Sequence, residues 1–283
     1  MRVLINREAL KSNIEKAKTL SRGVPVSLLF KDFYEDIYDE IDDCGCDIFS
    51  MNKVFSNCYA IGQATCNHRG AVVTSLSQID HIPYGEIERV FIPINAFDNR
   101  EGLSIESSKI LAHVSKVVYP NIHVIGMITS GCLNERAPKV DDLRKIWDQL
   151  EFTVESISLG GSYWLGREEN LPGFIRDIRI GEYMLFGTIP YNSDKEKLGT
   201  NAISIEAEVI GVYPERNHIL LDFGYAKAEP EKCEYPDGLF YVDSSSEYTI
   251  LYTTKQYGIG DKMLIKPNYK SLVKLKDAVR EYI

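Results

Sequence analysis

The chain has 283 residues, of which 44% are hydrophobic and 26% are charged, an ordinary composition for a globular protein. Its formal net charge of −9 argues against nucleic acid or an anionic membrane as the main partner, although a local basic pocket for one phosphate stays compatible. No stretch reaches the roughly 18 consecutive apolar residues of a membrane span, and the amino terminus lacks a long apolar signal-peptide core. The six cysteines show neither a C-x-x-C pair nor zinc-finger spacing. We therefore expect a reduced, soluble, cytoplasmic protein.

Strands and helices alternate through the first two thirds of the chain. Residues 2–5 predict a short strand, and Asn6 is placed to cap a helix whose apolar residues recur every three or four positions up to residue 20. The apolar run 24–31 predicts a buried strand that ends on Lys31. Further strands are predicted at residues 46–50, 70–75, 89–94, 123–129, 156–159 and 177–180, and helices at residues 36–43, 53–62 and 140–150; residues 110–118 fit either type, and residues 183–186 close this half.

This alternation indicates an α/β fold of parallel units joined by right-handed crossovers. Seven or eight units in about 190 residues predict a compact (β/α)8 TIM-like barrel, which we assign to residues 1–195. Beyond it, turn residues separate β-like stretches that have no helices between them, which predicts a C-terminal all-β domain at residues 196–283. Its predicted strands are residues 202–212, 219–223, 239–242, 248–253 and 262–266, and residues 271–282 predict a terminal helix.

Lys31 stands at the carboxyl end of the first predicted barrel strand, where such barrels carry their chemistry. Burial lowers the pKa of a lysine, because the charged form loses its water. The neutral amine can then form a Schiff base with a carbonyl compound such as pyridoxal phosphate. Taken by position alone, a strand-end lysine that extends into solvent is the more ordinary interpretation.

Two small-residue segments follow late barrel strands and suit a phosphate. Gly161 and Ser162 let backbone amides and a hydroxyl approach an anion. Arg179, Gly181 and Glu182 follow at the end of the last predicted strand. Barrel phosphate sites commonly form from the loops after strands 7 and 8, so the chain order fits. The alternatives are an ordinary glycine-rich loop and a surface ion pair of Arg179 with a neighbouring carboxylate.

The β domain offers a tyrosine and a serine-rich turn. Tyr225 suits an acid or base if a nearby cation lowers its pKa, and the alternative is a common turn tyrosine. Ser245 and Ser246 suit hydrogen bonding to a small polar ligand, and the alternative is a solvated turn. The five histidines form no metal-binding signature, so we expect no metal site.

The order of these motifs resembles the alanine racemase-like family of fold-type III pyridoxal-phosphate enzymes, including its ornithine racemase branch. The similarity spans nearly the whole chain. The matching motifs are Lys31, Gly161-Ser162, Arg179-Ile180-Gly181, Leu185-Phe186-Gly187, Gly224-Tyr225-Ala226, Ser245-Ser246-Glu247 and Gly260-Asp261.

The resemblance implies roles for these residues. Lys31 would hold the cofactor covalently and act as one acid/base, while Tyr225 of a partner subunit in a homodimer would act on the opposite face of the substrate. Arg179 would face the pyridine nitrogen, which it cannot protonate. The cofactor phosphate would be bound by Ser162 and the amides near Gly161, Gly181 and Glu182, and Ser245 and Ser246 would contact the substrate.

The sequence departs from the family pattern at several points. Glu35 stands where the family usually has a tyrosine, Glu247 replaces an aspartate, and the strand carrying a cofactor-facing arginine is not visible, with Arg136 a weak substitute. We expect a pyridoxal-phosphate-dependent amino-acid racemase that interconverts L- and D-amino acids. The alternatives are a non-catalytic or regulatory pyridoxal-phosphate-binding protein, and a related D-amino-acid lyase or aldolase, which the missing metal-ligand cluster disfavours.

Overall fold

The structure is a computed structural model that describes residues 1–30, 37, 39–41, 44–50, 58–62, 68–82, 87–97, 102–129, 138–190 and 194–283. Its contacts divide the chain into two compact units. The first comprises Asn13–Met184 with Thr188–Leu198, and the second comprises Met1–Ser12, Leu185–Gly187 and Gly199–Ile283.

The chain opens with strand β1 (Arg2–Ile5) and helix α1 (Arg7–Leu20). The side chain of Asn6 accepts a hydrogen bond from the backbone N–H of Ala9 at 2.9 Å, so the predicted cap is confirmed. Among the helices that the structure describes, none combines the length and the apolar character that a membrane span requires.

Eight parallel strands, β2 to β9, close into a barrel, and β9 returns to pair with β2. Helices α2, α3 and α4 connect successive strands in its second half, which confirms the predicted barrel. The strands are β2 (Val26–Phe30), β3 (Asp47–Ser50), β4 (Cys58–Ile61), β5 (Gly70–Val72), β6 (Arg89–Pro93), β7 (His123–Thr129), β8 (Ser156–Gly160) and β9 (Ile175–Ile180), and the helices are α2 (Leu76–Ile79), α3 (Ile105–Val118), α4 (Val140–Leu150) and α5 (Glu182–Phe186).

Side chains fill the barrel interior. Phe49, Tyr59 and Phe91 come from three different strands, and their ring centroids lie 4.9 to 5.1 Å apart in tilted and edge-on arrangements. Val72 and Ile125 complete this buried cluster. Alternate residues of a strand point to opposite faces, so each strand contributes every second side chain to this core. The barrel is therefore a packed scaffold whose strand ends hold their positions firmly.

One local prediction for the barrel half is wrong, and the structure assigns the element type of two further segments. Residues 53–62 are not one helix, because Cys58–Ile61 form β4 and bury their first three side chains. Short apolar runs do not distinguish a strand from a buried helix turn, which explains the error. The ambiguous segment is helical (α3), and residues 183–186 lie in α5. The acidic helix predicted at residues 36–43 falls largely outside the described residues.

The second unit is built on an antiparallel sheet, and all five strands predicted for it are present. The strand order is β12-β13-β11-β10-β1-β15, and β14 also pairs with β10. Its elements are β10 (Ile203–Tyr213), β11 (His218–Leu221), β12 (Leu239–Ser244), β13 (Thr249–Thr253), β14 (Lys262–Ile265), α6 (Ser271–Lys274) and β15 (Arg280–Tyr282).

Both chain termini belong to this sheet. Strand β1 pairs antiparallel with β10 and parallel with β15, so it is not a barrel strand. The Arg2 guanidinium binds the Glu206 carboxylate at 2.8 Å, and this hydrogen bond is the main reason why the pKa of Glu206 is lowered. The predicted terminal helix is wrong beyond its first turn, because residues 280–282 add an edge strand beside β1.

Candidate active site

The two predicted phosphate loops meet at the carboxyl ends of neighbouring strands. They follow β8 and β9, the seventh and eighth strands of the closed barrel. Gly161 has a φ of 108°, a conformation that favours glycine, and Ser162 is only 3% exposed. The Ser162 hydroxyl accepts a hydrogen bond of 3.0 Å from the backbone N–H of Tyr183. Ser162 is thus brought beside the Gly181–Glu182 segment, although the two lie about twenty residues apart in sequence.

The segment after β9 is firmly anchored. Gly181 is buried, and the Glu182 carboxylate accepts a hydrogen bond of 2.9 Å from the Thr188 hydroxyl. Tyr183 is buried, which raises its pKa to about 12, so the phenol stays neutral and donates to the Lys197 carbonyl at 2.9 Å. These contacts fix the backbone amides around Gly181 and Glu182 with respect to Ser162.

Arg179 is a buried cation inside the barrel. It is 3% exposed, and its guanidinium carbon lies 5.5 Å from the centre of the Phe49 ring. Its terminal nitrogens donate to the Ser158 carbonyl at 2.8 Å, the Ser158 hydroxyl at 2.6 Å and the Ile128 carbonyl at 3.0 Å. A methyl group on Gly160 would come within 2.6 Å of the same guanidinium, so glycine makes room for it. The alternative of a surface ion pair is therefore wrong.

A chain of polar contacts continues from Arg179 toward the amino-terminal edge of the barrel. The Ser158 hydroxyl donates to the carboxylate of Asp177, which is fully buried and ion-paired with Arg176. Between β8 and β9 the register shifts, so Arg176 is the extra residue of a bulge next to Asp177. The bulge allows consecutive residues of β9 to join one network. Arg179 is thereby held by neutral oxygens that are themselves polarised by a buried ion pair.

The network ends at the amino-terminal edge of the barrel. Arg176 also binds Asp47, the first residue of β3, and the Tyr59 phenol donates to Asp47 at 3.0 Å. Arg89 in turn donates to the Tyr59 oxygen. The pKa of Tyr59 is raised first by burial and then by the charge of Asp47, so this phenol stays protonated. Because chemistry in such barrels lies at the opposite edge, this cluster serves stability.

Sequence reasoning missed this network and the support that Ser158 gives Arg179. A signal was present in β9, where Arg176, Asp177 and Arg179 place three charges in an otherwise apolar strand. Charges inside a buried strand require buried partners, and those partners come from other strands that the local pattern does not identify.

In the sheet unit, the predicted tyrosine and serine motifs lie side by side. The backbone N–H of Tyr225 donates to the Ser245 carbonyl at 2.9 Å, and that of Ala226 donates to the Ser246 carbonyl at 3.2 Å. The Ser245 hydroxyl accepts from two backbone N–H groups of its own turn at 3.2 Å each, so it stabilises the turn. Ser246 is partly exposed. Two loops distant in sequence therefore form one surface.

Tyr225 presents its phenol outward. Its side chain is 54% exposed, while its carbonyl accepts a hydrogen bond of 2.8 Å from the Lys274 ammonium. The same ammonium binds the Ala228 carbonyl at 3.0 Å, which clamps the loop from its other side. The backbone of Tyr225 is thus fixed while its side chain is exposed.

Substituting Gly224 by alanine should displace this loop. The added methyl would lie 2.1 Å from the Ser245 carbonyl oxygen and 2.7 Å from the Ser246 backbone, and neither backbone atom can move aside cheaply. We expect Gly224→Ala to lower the free energy of unfolding by about 1–3 kcal/mol in urea titrations. Gly258→Ala is the matched control, since its nearest neighbour would lie at 3.8 Å. Equal stability of the two variants would contradict the tight packing.

Lys31 lies outside the described residues, as do Glu35 and Arg136. Strand β2 ends on the buried Phe30, directly before Lys31 in sequence. Within the described ranges, no group of three or more His, Cys, Asp or Glu side chains is arranged to hold a metal ion.

No family model matches the chain, and no curated protein matches it significantly. Alanine racemase from Acinetobacter baumannii superposes with a TM-score of 0.74 at 14% identity, covering 100% of both chains. D-threo-3-hydroxyaspartate dehydratase from Delftia sp. HT23 gives a TM-score of 0.72 at 12% identity over 100% of this chain and 93% of its own. D-threonine aldolase from Filomicrobium marinum gives 0.69 at 14% identity over 99% and 91%. The chain therefore has the alanine racemase-like fold, an eight-stranded parallel barrel with a separate antiparallel sheet.

Proposed function

We propose that the chain is a pyridoxal-phosphate-dependent racemase that interconverts the L- and D-forms of an amino acid. The observation that carries the proposal is the meeting of Ser162 with the Gly181–Tyr183 segment, beside the buried Arg179, at the ends of barrel strands seven and eight. Solved structures with this fold include alanine racemases, which supports the choice of reaction.

The residues at these strand ends fit a phosphorylated cofactor. Ser162 supplies a hydroxyl, and the glycines at positions 161 and 181 leave no side chain between an anion and the backbone amides. The hydrogen bond between Ser162 and the Tyr183 amide sets these groups in place before any ligand arrives. Donors that are already in position bind phosphate without a free-energy cost for ordering the binding groups.

Arg179 supplies a permanent positive charge near the carboxyl end of β9, the strand that the Gly181–Tyr183 segment follows. A guanidinium keeps its protons throughout the working range of pH, so Arg179 can donate hydrogen bonds but cannot transfer a proton. Its contacts with Ser158 and Ile128 hold it in a single orientation. When bound, pyridoxal phosphate supplies an electron-withdrawing system that stabilises negative charge at the substrate Cα. Because Arg179 cannot transfer a proton to the cofactor, the negative charge at Cα would be stabilised only moderately. This favours return of a proton to Cα.

Racemisation requires proton transfer on both faces of Cα. We assign Lys31 to hold the cofactor and to serve one face, and Tyr225 of a second copy to serve the other. The exposed phenol and rigid backbone of Tyr225 suit a group offered to a partner chain. A homodimer would then be the active form, with Ser245 and Ser246 beside the substrate.

A D-amino-acid lyase is the second candidate, because a dehydratase and an aldolase share this fold. The two reactions differ in what happens after the Cα proton or a Cα bond is lost. A racemase returns a proton to Cα and releases the same amino acid, whereas a lyase or aldolase releases a carbonyl product. Product analysis therefore separates them.

The experiment is to incubate the protein with pyridoxal phosphate and a panel of amino acids in D2O. We expect at least one amino acid to incorporate deuterium at Cα from either enantiomer and to reach a racemic mixture, measured by NMR and chiral chromatography. Consumption of the D-form alone with release of a carbonyl product would identify a lyase. No exchange with any amino acid would identify a non-catalytic binder.

A further inference from the structure

Two cysteines separated by a single glycine form a pair at the amino-terminal edge of the barrel, outside the proposed active site. Cys44 and Cys46 flank Gly45, and Cys46 immediately precedes β3. The Cys46 thiol lies 3.6 Å from the Cys44 carbonyl oxygen. The neighbouring Cys44 side chain, and then burial, raise the pKa of the Cys46 thiol. The two cysteines share one short turn, in which the Cys46 thiol is directed back at the Cys44 backbone.

The surroundings make the two thiols chemically unequal. Cys46 is 6% exposed, whereas Cys44 is partly exposed and accessible to a small reagent. The Lys18 ammonium donates to the Cys44 carbonyl at 2.7 Å, and its charge acts on both sulfur atoms. A nearby cation stabilises a thiolate. Cys44 is thus suited to attack a disulfide reagent, and Cys46 is suited to displace that reagent from the mixed disulfide formed on Cys44.

The connecting residue gives the turn freedom to close. Gly45 has a φ of 64°, and a methyl group placed on it would meet no atom within 4 Å. A two-residue separation makes a small, strained ring, and strained disulfides are the ones that are easily reduced again. Reversibility is therefore expected of a bond formed here.

We propose that Cys44 and Cys46 form a reversible disulfide by exchange with low-molecular-weight disulfides such as oxidised glutathione. The Cys44 thiolate attacks one sulfur of the glutathione disulfide, which forms a mixed disulfide and releases one glutathione thiolate. Cys46 loses its proton to solvent and attacks the Cys44 sulfur, which releases the second glutathione. The two protein thiols are oxidised and one glutathione disulfide is reduced, so atoms and electrons balance.

The cysteine pair directly precedes a residue of the ionic network at the amino-terminal edge of the barrel. Asp47, the next residue, binds Arg176 and accepts from Tyr59 in the ionic network described above. Asp47 is bonded directly to Cys46, so a ring closed at Cys46 would involve the backbone that carries this carboxylate. The proposed modification site is therefore adjacent in sequence to the ionic network.

The test uses the full-length protein treated with glutathione disulfide, quenched in acid, alkylated and digested with trypsin. Residues 32–53 form one tryptic peptide that contains both cysteines and no other. We expect this peptide to lose two hydrogen atoms and both alkyl groups, and to regain both alkyl groups after treatment with dithiothreitol. Cys58, which is fully buried, is the internal control and should remain a free thiol throughout.

Two variants test the assigned order. Cys46→Ser should accumulate the mixed disulfide on Cys44, whereas Cys44→Ser should form little adduct because Cys46 is buried. Full alkylation of the wild-type peptide at every glutathione ratio would overturn the proposal, as would a disulfide that links Cys44 to any cysteine other than Cys46. If a variant fails to fold, the wild-type peptide alone still decides the question.

Discussion

Replacing Tyr225 by phenylalanine should lower the racemisation rate constant by about 10²–10⁴-fold, the usual contribution of a positioned acid/base. The ring and the backbone hydrogen bonds to Ser245 remain, so the loop should keep its position. The cofactor should still bind with an unchanged absorbance spectrum, because Tyr225 is not proposed to hold it. Initial rates measured from each pure enantiomer give the comparison.

Solvent exchange sharpens this prediction. With Tyr225→Phe, one enantiomer should still exchange its Cα hydrogen for deuterium through Lys31, while the other should not exchange. Tyr213→Phe is the matched control, since Tyr213 is also a partly exposed tyrosine of the sheet unit, and it should behave as wild type. Wild-type racemisation by Tyr225→Phe, with exchange from both enantiomers, would remove Tyr225 from the mechanism.

Mixed subunits test whether Tyr225 acts across a dimer. Lys31→Ala and Tyr225→Phe should each be inactive alone, but a hybrid of the two would contain one site with both native groups. Random association of equal amounts should restore about a quarter of wild-type activity, because half of the dimers are hybrids with one intact site of two. No recovery after confirmed hybrid formation would place both residues in one chain or exclude one of them.

Substituting Asp177 by asparagine should destabilise the barrel by about 3 kcal/mol, the lower end of the cost of breaking a buried ion pair. The carboxylate is fully buried between Ser158 and Arg176, so its loss leaves Arg176 with Asp47 as its remaining carboxylate partner among the described residues. The midpoint of unfolding in urea should fall with little change in slope.

A surface ion pair provides the control for this effect. Asp141 pairs with Arg144 at 2.7 Å on α4, and both side chains are more than half exposed. Asp141→Asn should therefore change the free energy of unfolding by no more than about 1 kcal/mol. If Asp177→Asn were as mild as this control, the buried network would not be a main source of barrel stability.

Much of the fold follows from the sequence because its signals are local. Alternating apolar strands and amphipathic helices predict a barrel, and turn residues between the later strands predict a sheet. The places of the two predicted phosphate loops in the fold were also predictable, since each follows directly on a predicted strand. Their meeting through Ser162 and Tyr183 follows once the barrel closes, because the ends of strands seven and eight are neighbours.

Other features depend on contacts that no local pattern reveals. Strand β4 was hidden because Cys58–Ile61 are apolar enough for either element. The pairing of β1 with β10 and β15 joins segments about 200 or more residues apart. The alternation of apolar and polar residues identifies a strand, but it does not show which other strand it pairs with. The support of Arg179 by Ser158 required the register between β8 and β9, including its bulge.

The most direct measurement is the absorbance spectrum of the purified protein with pyridoxal phosphate, for wild type and for Lys31→Ala. We expect a band near about 420 nm, typical of this cofactor joined to a lysine, that survives removal of free cofactor in wild type. In Lys31→Ala the band should be absent. No bound band in either protein would contradict the assignment of the cofactor, and an equal band in both would contradict the assignment of Lys31.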